Sequence, residues 1–271
     1  MPELPEVETI VRGLAGTIVG ARIERAEVRL AKMAVAPSGT AFDRAVAGDR
    51  IAAVRRRGKY AVIELGSGRR LVTSLRMTGR LVVARASAPE YPGTHLVLHL
   101  NRRRQLRFSD VRTFGRMRLV GQAEAWDREL GVEPLSTDFT AQAFAGMLAG
   151  RTTPIKVLLL DQRRIAGIGN IYACEALWEA RVRPSRPARA LTKPAINRLR
   201  QAIVEVLRRA IAMRGTSVDD YVDAGGLQGS FQNDLCVYGR LGLECPRCGT
   251  GKIVRTVLAQ RGTWWCRRCQ R

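Results

Sequence analysis

No apolar run of about 18 residues, the length a membrane-spanning helix needs, occurs anywhere in this 271-residue chain. The first residues are acidic, with no apolar stretch behind a basic one. A secretory signal is therefore not expected, and the chain is placed in the cytoplasm, nucleoid-associated if its partner is chromosomal. There is no internal repeat. Acid is scarce: 24 Asp and Glu stand against 46 Lys and Arg, a net charge of +22. Such an excess repels itself in a compact fold and points to a polyanionic partner. Lysine is scarce too, with only Lys32, Lys59, Lys156, Lys193 and Lys252. The positive charge is thus almost all arginine, whose forked donors suit phosphate. A GC-rich genome explains the Arg-to-Lys ratio but not the net charge. No basic amphipathic helix stands out, which favours nucleic acid over an anionic membrane. Of six cysteines, only Cys174 and Cys236 fall outside a metal-like spacing. Both have apolar neighbours and read as small buried hydrophobes, and disulfides are not expected in a cytosolic chain.

What is present begins with Met1-Pro2-Glu3-Leu4-Pro5-Glu6-Val7-Glu8-Thr9. A chain starting Met-Pro usually loses its methionine, which leaves Pro2 a free secondary amine. Such an amine attacks a sugar C1′ and gives an iminium whose charge cannot be lost by deprotonation. With Met1 retained, the nitrogen is an amide and cannot react. Glu3 beside it is a candidate proton donor. A helix is expected to follow, with Pro5 and Glu6 in its first turn and Val7, Ile10, Val11 and Leu14 on one apolar face. The competing reading is an ordinary capped helix behind a leftover Met-Pro.

Beyond that helix, short alternating runs read as strands at 21–30, 50–54, 60–65, 70–75, 80–84, 95–100, 105–108 and 116–120. Many short strands without intervening helices indicate a sandwich or barrel-like sheet pair. The pattern breaks near 131–136, and helical periodicity then takes over at 141–149, 154–163, 170–180 and 193–213. Between the second and third of these helices lies Gly167-Ile168-Gly169, a glycine turn that would let main-chain N–H groups approach a phosphate. A plain helical hairpin is the alternative. Residues 223–232 are glycine-rich, lack periodicity and read as a mobile loop or lid.

Cys245-Pro-Arg-Cys248 and Cys266-Arg-Arg-Cys269 are separated by 17 residues. This is the spacing of a four-thiolate structural zinc site with no open position for chemistry. The segment between the pairs reads as a hairpin with Arg261 near its tip, either functional or simply a solvated turn residue. Arg55-Arg56-Arg57-Gly58-Lys59-Tyr60 is a basic cluster at a sheet turn that suits phosphate, and Lys59 there could also point into a cleft. Arg112 and Phe114 are two apart, so on an extended segment they share a side. Such a pair can wedge into a duplex where a base has been displaced, and Met77, apolar among arginines, is a further wedge candidate. Taken singly, Phe114 and Met77 read better as core.

These motifs occur in one order: the N-terminal nonapeptide, Arg57-Gly58-Lys59-Tyr60, Asp110-Val-Arg-Thr-Phe-Gly115, Gly167-Ile-Gly-Asn-Ile-Tyr-Ala173, Val237-Tyr-Gly-Arg240 and the four cysteines. Together they resemble the bacterial formamidopyrimidine-DNA glycosylases over essentially the whole chain. Leu4 and the Arg112/Phe114 pair favour this purine branch over the sister endonuclease VIII branch. The resemblance implies an α+β fold in three parts. Residues 1–133 would form an N-terminal catalytic β-sandwich with a leading helix. Residues 134–235 would form a helical domain with a helix-two-turn-helix and a lid loop, and residues 236–271 a zinc-finger hairpin.

It further implies a bifunctional DNA glycosylase and AP lyase that removes 8-oxoguanine and formamidopyrimidines and cuts the strand by β,δ-elimination. Pro2 would be the nucleophile and Glu3 the acid, with Lys59 and Arg261 on phosphates around the lesion. Arg112, Arg151, Lys156 and Asn170 would contact backbone, and Met77, Arg112 and Phe114 would fill the void. One structural zinc on Cys245, Cys248, Cys266 and Cys269 is implied. The partner would be double-stranded DNA with oxidised bases or abasic sites, bound by a monomer and without a membrane. Three departures stand out, one being a lid that reads Gly225-Gly-Leu-Gln-Gly229 where Gly-x-x-Gly is usual. The family often has His-x-His where this chain has Gly93-Thr94-His95, which leaves only His95 for a phosphate, and Thr113 stands where Arg or Lys is common. A non-catalytic damaged-DNA-binding protein on the same scaffold is the alternative. A zinc-ribbon RNA-binding protein explains charge and cysteines but not Pro2-Glu3 or the wedge.

Overall fold

Helix α1 (Leu4–Ile18) carries Leu4, Val7, Ile10, Leu14 and Ile18, all essentially inaccessible, on one stripe. Burying each such side chain contributes about 1.5–3 kcal/mol, so the stripe fixes the helix firmly on its core. The computed structural model describes residues 2–37, 39–217 and 221–271. Met1, and with it the state of the Pro2 nitrogen, lies outside the described residues.

The described chain divides into two compact units. The first comprises residues 1–128 and 213–230. In it β1 (Ile23–Val28), β2 (Ala34–Val35) and a short helix α2 (Phe42–Val46) lead into β3 (Ile51–Arg57), β4 (Tyr60–Leu65), β5 (Arg70–Ser74) and β6 (Arg80–Arg85). Then come β7 (Thr94–Leu100), β8 (Arg104–Ser109) and β9 (Arg116–Val120). A four-stranded sheet runs β1-β7-β8-β6 and a five-stranded one β2-β9-β5-β4-β3. Inward residues of both, such as Leu98, Leu106, Phe108, Ile63 and Leu71, share one core with α1, as expected of a sandwich with a leading helix. The alternation had located eight of these nine strands. It missed β2, two residues paired in parallel with β9 (Ala34 with Met117), and α2, which is only five residues long.

The second unit comprises residues 129–212 and 231–271. It holds α3 (Ala141–Leu148), α4 (Ile155–Leu160), α5 (Asn170–Glu179), α6 (Lys193–Ala212) and an antiparallel hairpin, β10 (Ile253–Leu258) with β11 (Arg261–Cys266). Helix α4 is shorter than its sequence suggested: it stops at Leu160, and Asp161 turns the chain by accepting the Arg163 amide. No helix among the described residues is long and apolar enough to cross a membrane.

Candidate nucleic-acid interface and catalytic site

The head of α1 is held by carboxylates. Glu3 is the N-cap; its amide donates to Glu6 Oε2 at 2.8 Å, and the reciprocal bond from the Glu6 amide to the Glu3 side chain completes a capping box. Pro2, Glu3 and Glu6 are all buried. The other Glu6 oxygen, Oε1, accepts the Thr216 amide at 2.7 Å. One carboxylate therefore ties the N-terminal residues to the segment 213–230, which returns to this unit. Tyr221 reinforces the tie by donating its hydroxyl to the Glu6 carbonyl. Burial, and next the neighbouring Glu6 charge, push the Tyr221 phenol well above its ordinary range, so it remains a donor. Gly215 must be glycine here: its φ is +81°, and a Cβ would stand 2.7 Å from Glu6 Oε1. Glu6 was missed as a functional residue, although the Glu3-x-x-Glu6 spacing is a legible capping signal.

Segment 223–232 is more ordered in its bonding than a bare loop. The Asp223 carboxylate accepts the amides of Gly225 and Leu227, each at 2.9 Å, and Phe231–Asp234 forms a 3₁₀ turn. Leu227 stands exposed at its tip.

The basic cluster on β3 is partly paired with carboxylates. Arg55 pairs with Glu64, Arg56 with Glu8 and Arg57 with Asp127; Arg56 is nearly buried in its pair, whereas Arg55 stays largely exposed. Lys59 sits half-buried in the Gly58-Lys59 turn that joins β3 to β4. His95 lies half-buried at an irregularity in β7, between the pairs Thr94–Ser109 and Leu96–Phe108.

The wedge candidates do come together. Met77, Val111 and Phe114 are 43%, 69% and 52% exposed, which rules out core packing. The Arg112 guanidinium reaches Met77 Sδ at 3.0 Å and lies over the Phe114 ring at 5.0 Å. Buried Asp110 builds the loop beneath them. Its two oxygens accept from Thr78 Oγ1 and from the amides of Arg112 (3.2 Å), Phe114 (2.8 Å) and Gly115 (2.6 Å), which uses the full capacity of a carboxylate. Between Arg112 and Phe114, Thr113 has a φ of +53°. For a β-branched residue this left-handed conformation is rare and costs about 1–2 kcal/mol.

In the second unit one residue is not where the sequence put it. Lys156 was expected on a DNA phosphate, yet it is fully buried on α4. Its ammonium donates to Asn170 Oδ1 (2.6 Å), Thr263 Oγ1 (2.8 Å) and the Gly262 carbonyl (3.2 Å), which occupies all three of its donors. Asn170 closes the figure by donating Nδ2 to the same Gly262 carbonyl at 3.0 Å. Lys156 thus fastens the start of α5 to β11, one residue from exposed Arg261. Arg261 follows the Ala259-Gln260 turn, both residues of which have positive φ. Arg151 is exposed just after α3.

The four cysteine sulfurs lie within 4.8 Å of one another. Cys245–Cys269 and Cys248–Cys266 are 3.8 and 3.9 Å apart. A tetrahedral zinc with bonds of about 2.3 Å requires edges of about 3.8 Å, so the donor set fits that ion. Trp178 on α5 supports it, donating Nε1 to Cys245 Sγ at 3.4 Å. Glu175, one turn earlier, accepts the amides of Cys236, Val237 and Tyr238 at 2.8–3.0 Å. It was not singled out in the sequence. Cys174 is buried as expected, whereas Cys236 is only half-buried; burial, then Glu175, pushes its thiol up to about 12, which keeps it inert.

Family models described as the formamidopyrimidine-DNA glycosylase N-terminal domain, its H2TH domain and the zinc finger found in FPG and IleRS match residues 1–117, 130–222 and 242–271. The chain belongs to the formamidopyrimidine-DNA glycosylase family. It is a DNA glycosylase of base excision repair with the family's zinc-finger hairpin. The formamidopyrimidine-DNA glycosylase of Moorella thermoacetica is 50% identical over 253 residues, 92% of each chain. That of Heliobacterium modesticaldum is 47% identical over the full length of both. A Lactococcus lactis FPG mutant, G226P, in complex with a Fapy-dG containing DNA superposes with a TM-score of 0.91 at 37% identity, covering all of both chains. The Lactococcus lactis Fpg complex with an abasic site containing DNA gives 0.91 at 36%, covering 99% of each.

Proposed function

We propose that this chain is a bifunctional glycosylase and AP lyase that removes oxidised purines, 8-oxoguanine and ring-opened formamidopyrimidines, from double-stranded DNA. The observation that carries the reading is the head of α1, where Pro2 immediately precedes a glutamate that is buried and fixed by its own capping box. With Met1 removed, the Pro2 nitrogen attacks C1′ of the damaged nucleotide. The N–C1′ bond forms as the glycosidic bond breaks; the base departs with the electron pair and takes up the proton that the Pro2 nitrogen gives up. Glu3 gives its proton to the ring oxygen as the C1′–O4′ bond opens, which leaves the charged iminium. That electron sink acidifies the C2′ protons, and successive β- and δ-elimination expel the two phosphates.

Lys59 and Arg261 are assigned to phosphates beside the lesion, where they stabilise the leaving groups. Exposed Arg151 and the N-terminus of α5 at Asn170 are assigned to the flanking backbone, and His95 to a weaker backbone contact. Met77, Arg112 and Phe114 are assigned to the gap left by the everted nucleotide. In this reading residues 1–133 carry the chemistry, 134–235 the helix-two-turn-helix and lid, and 236–271 the zinc hairpin. The protein acts as a monomer on cytoplasmic, nucleoid-associated DNA.

The test is Glu3→Gln assayed on two substrates. Excision of 8-oxoguanine from a duplex should fall by about 10²–10⁴-fold, while cleavage at a preformed abasic site persists, because its sugar ring already opens unaided. Equal loss on both substrates would remove Glu3 from the proton-donor role.

A further inference from the structure

One of the chain's five lysines, exposed Lys32, occupies a 3₁₀ turn, Ala31–Met33, placed against the loop that carries Arg112 and Phe114. Met33 anchors that turn in the core, and β2 directly after it pairs with β9 directly after the loop. From this fixed base Lys32 Nζ donates to Thr113 Oγ1 at 2.7 Å. Thr113 is the residue whose left-handed φ swings the chain so that Arg112 stacks on Phe114. Its amide donates to the Asp110 carbonyl at 3.0 Å, and its own carbonyl accepts Arg116 at 2.9 Å. Bonds to its own main chain, one of them from the Arg116 guanidinium, thus hold both sides of the residue, and Lys32 alone among these partners holds the side chain.

We propose that Lys32 is a positioning residue for the wedge: its bond to Thr113 keeps the loop in the conformation that presents Arg112 and Phe114 together before DNA arrives. This rests on the wedge reading given above. The gain is preorganisation. A threonine released from Lys32 relaxes toward negative φ, and the loop must then be re-formed each time a base is extruded.

The experiment uses the full chain and measures single-turnover excision of 8-oxoguanine from a duplex and cleavage of a preformed abasic site. The variants are Lys32→Met, Lys32→Arg, Thr113→Gly, Lys32→Met with Thr113→Gly, and Phe114→Ala. Lys32→Met should lower duplex excision about five- to tenfold, the order of the left-handed penalty, and leave abasic cleavage within about twofold. Lys32→Arg keeps a donor and should restore most of the loss. Thr113→Gly needs no side chain to hold a positive φ, so adding Lys32→Met to it should cost nothing more. If Lys32→Met lowers both substrates equally, or costs the same in the glycine background, Lys32 acts through its charge or the fold and the proposal is overturned. If Lys32→Met is silent while Phe114→Ala selectively impairs duplex excision, the proposal falls and the wedge reading stands. If Phe114→Ala impairs both substrates equally, the wedge reading itself fails, and the proposal with it.

Discussion

Both units gather loop amides on buried carboxylates, but the second adds cationic centres. In the first, loops leave amide N–H groups without sheet or helix partners, and buried carboxylates collect them. Glu6 takes those of Glu3 and Thr216, and Asp110 takes those of Arg112, Phe114 and Gly115. In the second, Glu175 does the same for Cys236, Val237 and Tyr238, while a buried ammonium on Lys156 collects oxygens from Asn170, Gly262 and Thr263, and four cysteine sulfurs form a donor set for zinc. The contrast shows how a strongly basic protein spends its few acids. A carboxylate that gathers N–H groups preorganises a loop that must meet a polyanion, without adding negative charge at the surface. Where the strands of a small hairpin have little apolar core, a cation supplies the cohesion instead.

Breaking the cation side should have the largest effect. Cys248→Ser opens the four-thiolate site, whose zinc contributes on the order of 10–16 kcal/mol in isolated fingers. Metal analysis should find less than one zinc per chain, hydrogen exchange should show the 253–266 hairpin unprotected, and DNA affinity should collapse. The α1 amides should stay protected; if they exchange as well, the first unit does not stand independently of the metal.

Lys156→Met comes next. It strands three buried acceptors and should destabilise the second unit by about 3 kcal/mol in denaturant unfolding. Because Lys156 is bonded inward, the slope of log affinity against log salt should not change, whereas exposed Arg151→Ala should flatten it by about one unit. A flatter slope for Lys156→Met would restore it to the phosphate contacts.

On the carboxylate side, Asp110→Asn replaces two acceptor oxygens by one. Hydrogen bonds to a charged group are worth about 1.5–3 kcal/mol, so duplex excision should drop roughly tenfold or more while abasic cleavage drops less. Equal Tm and equal activity on both substrates would mean the loop does not need its carboxylate.

The smallest effect belongs to Glu8. Burial alone raises its pKa, but Arg12 and Arg56 outweigh that and hold it below the usual carboxylate range. A depressed folded pKa gives stability that is present above the unfolded value and is lost as pH falls through the folded one. Since Arg12 is largely exposed, the network contributes about 1 kcal/mol or less, and Glu8→Gln should lose that increment at neutral pH and nothing in acid. A deficit that persists at low pH would mean Glu8 acts by packing.

Much of this was legible in the sequence because local patterns carried it. Alternation marked eight strands, the Cys-x-x-Cys pairs marked the zinc site, and the order of the motifs marked the family. What escaped was set by distant partners. Lys156 reads as a surface cation at a helix start, yet two of its acceptors, Gly262 and Thr263, come more than a hundred residues later. Arg56 and Arg57 read as bare cations because Glu8 and Asp127 reach them only after folding. Asp110 carried no sequence signal of its loop-building role; Glu6 did, in the capping-box spacing to Glu3.

The central claim is that the Pro2 nitrogen is the nucleophile, and borohydride trapping followed by peptide mass mapping tests it most directly. On duplex DNA bearing 8-oxoguanine, the reduced adduct should map to the N-terminal peptide at Pro2, in protein whose measured mass lacks Met1. An adduct on Lys59, or full trapping by protein that retains Met1, would contradict it.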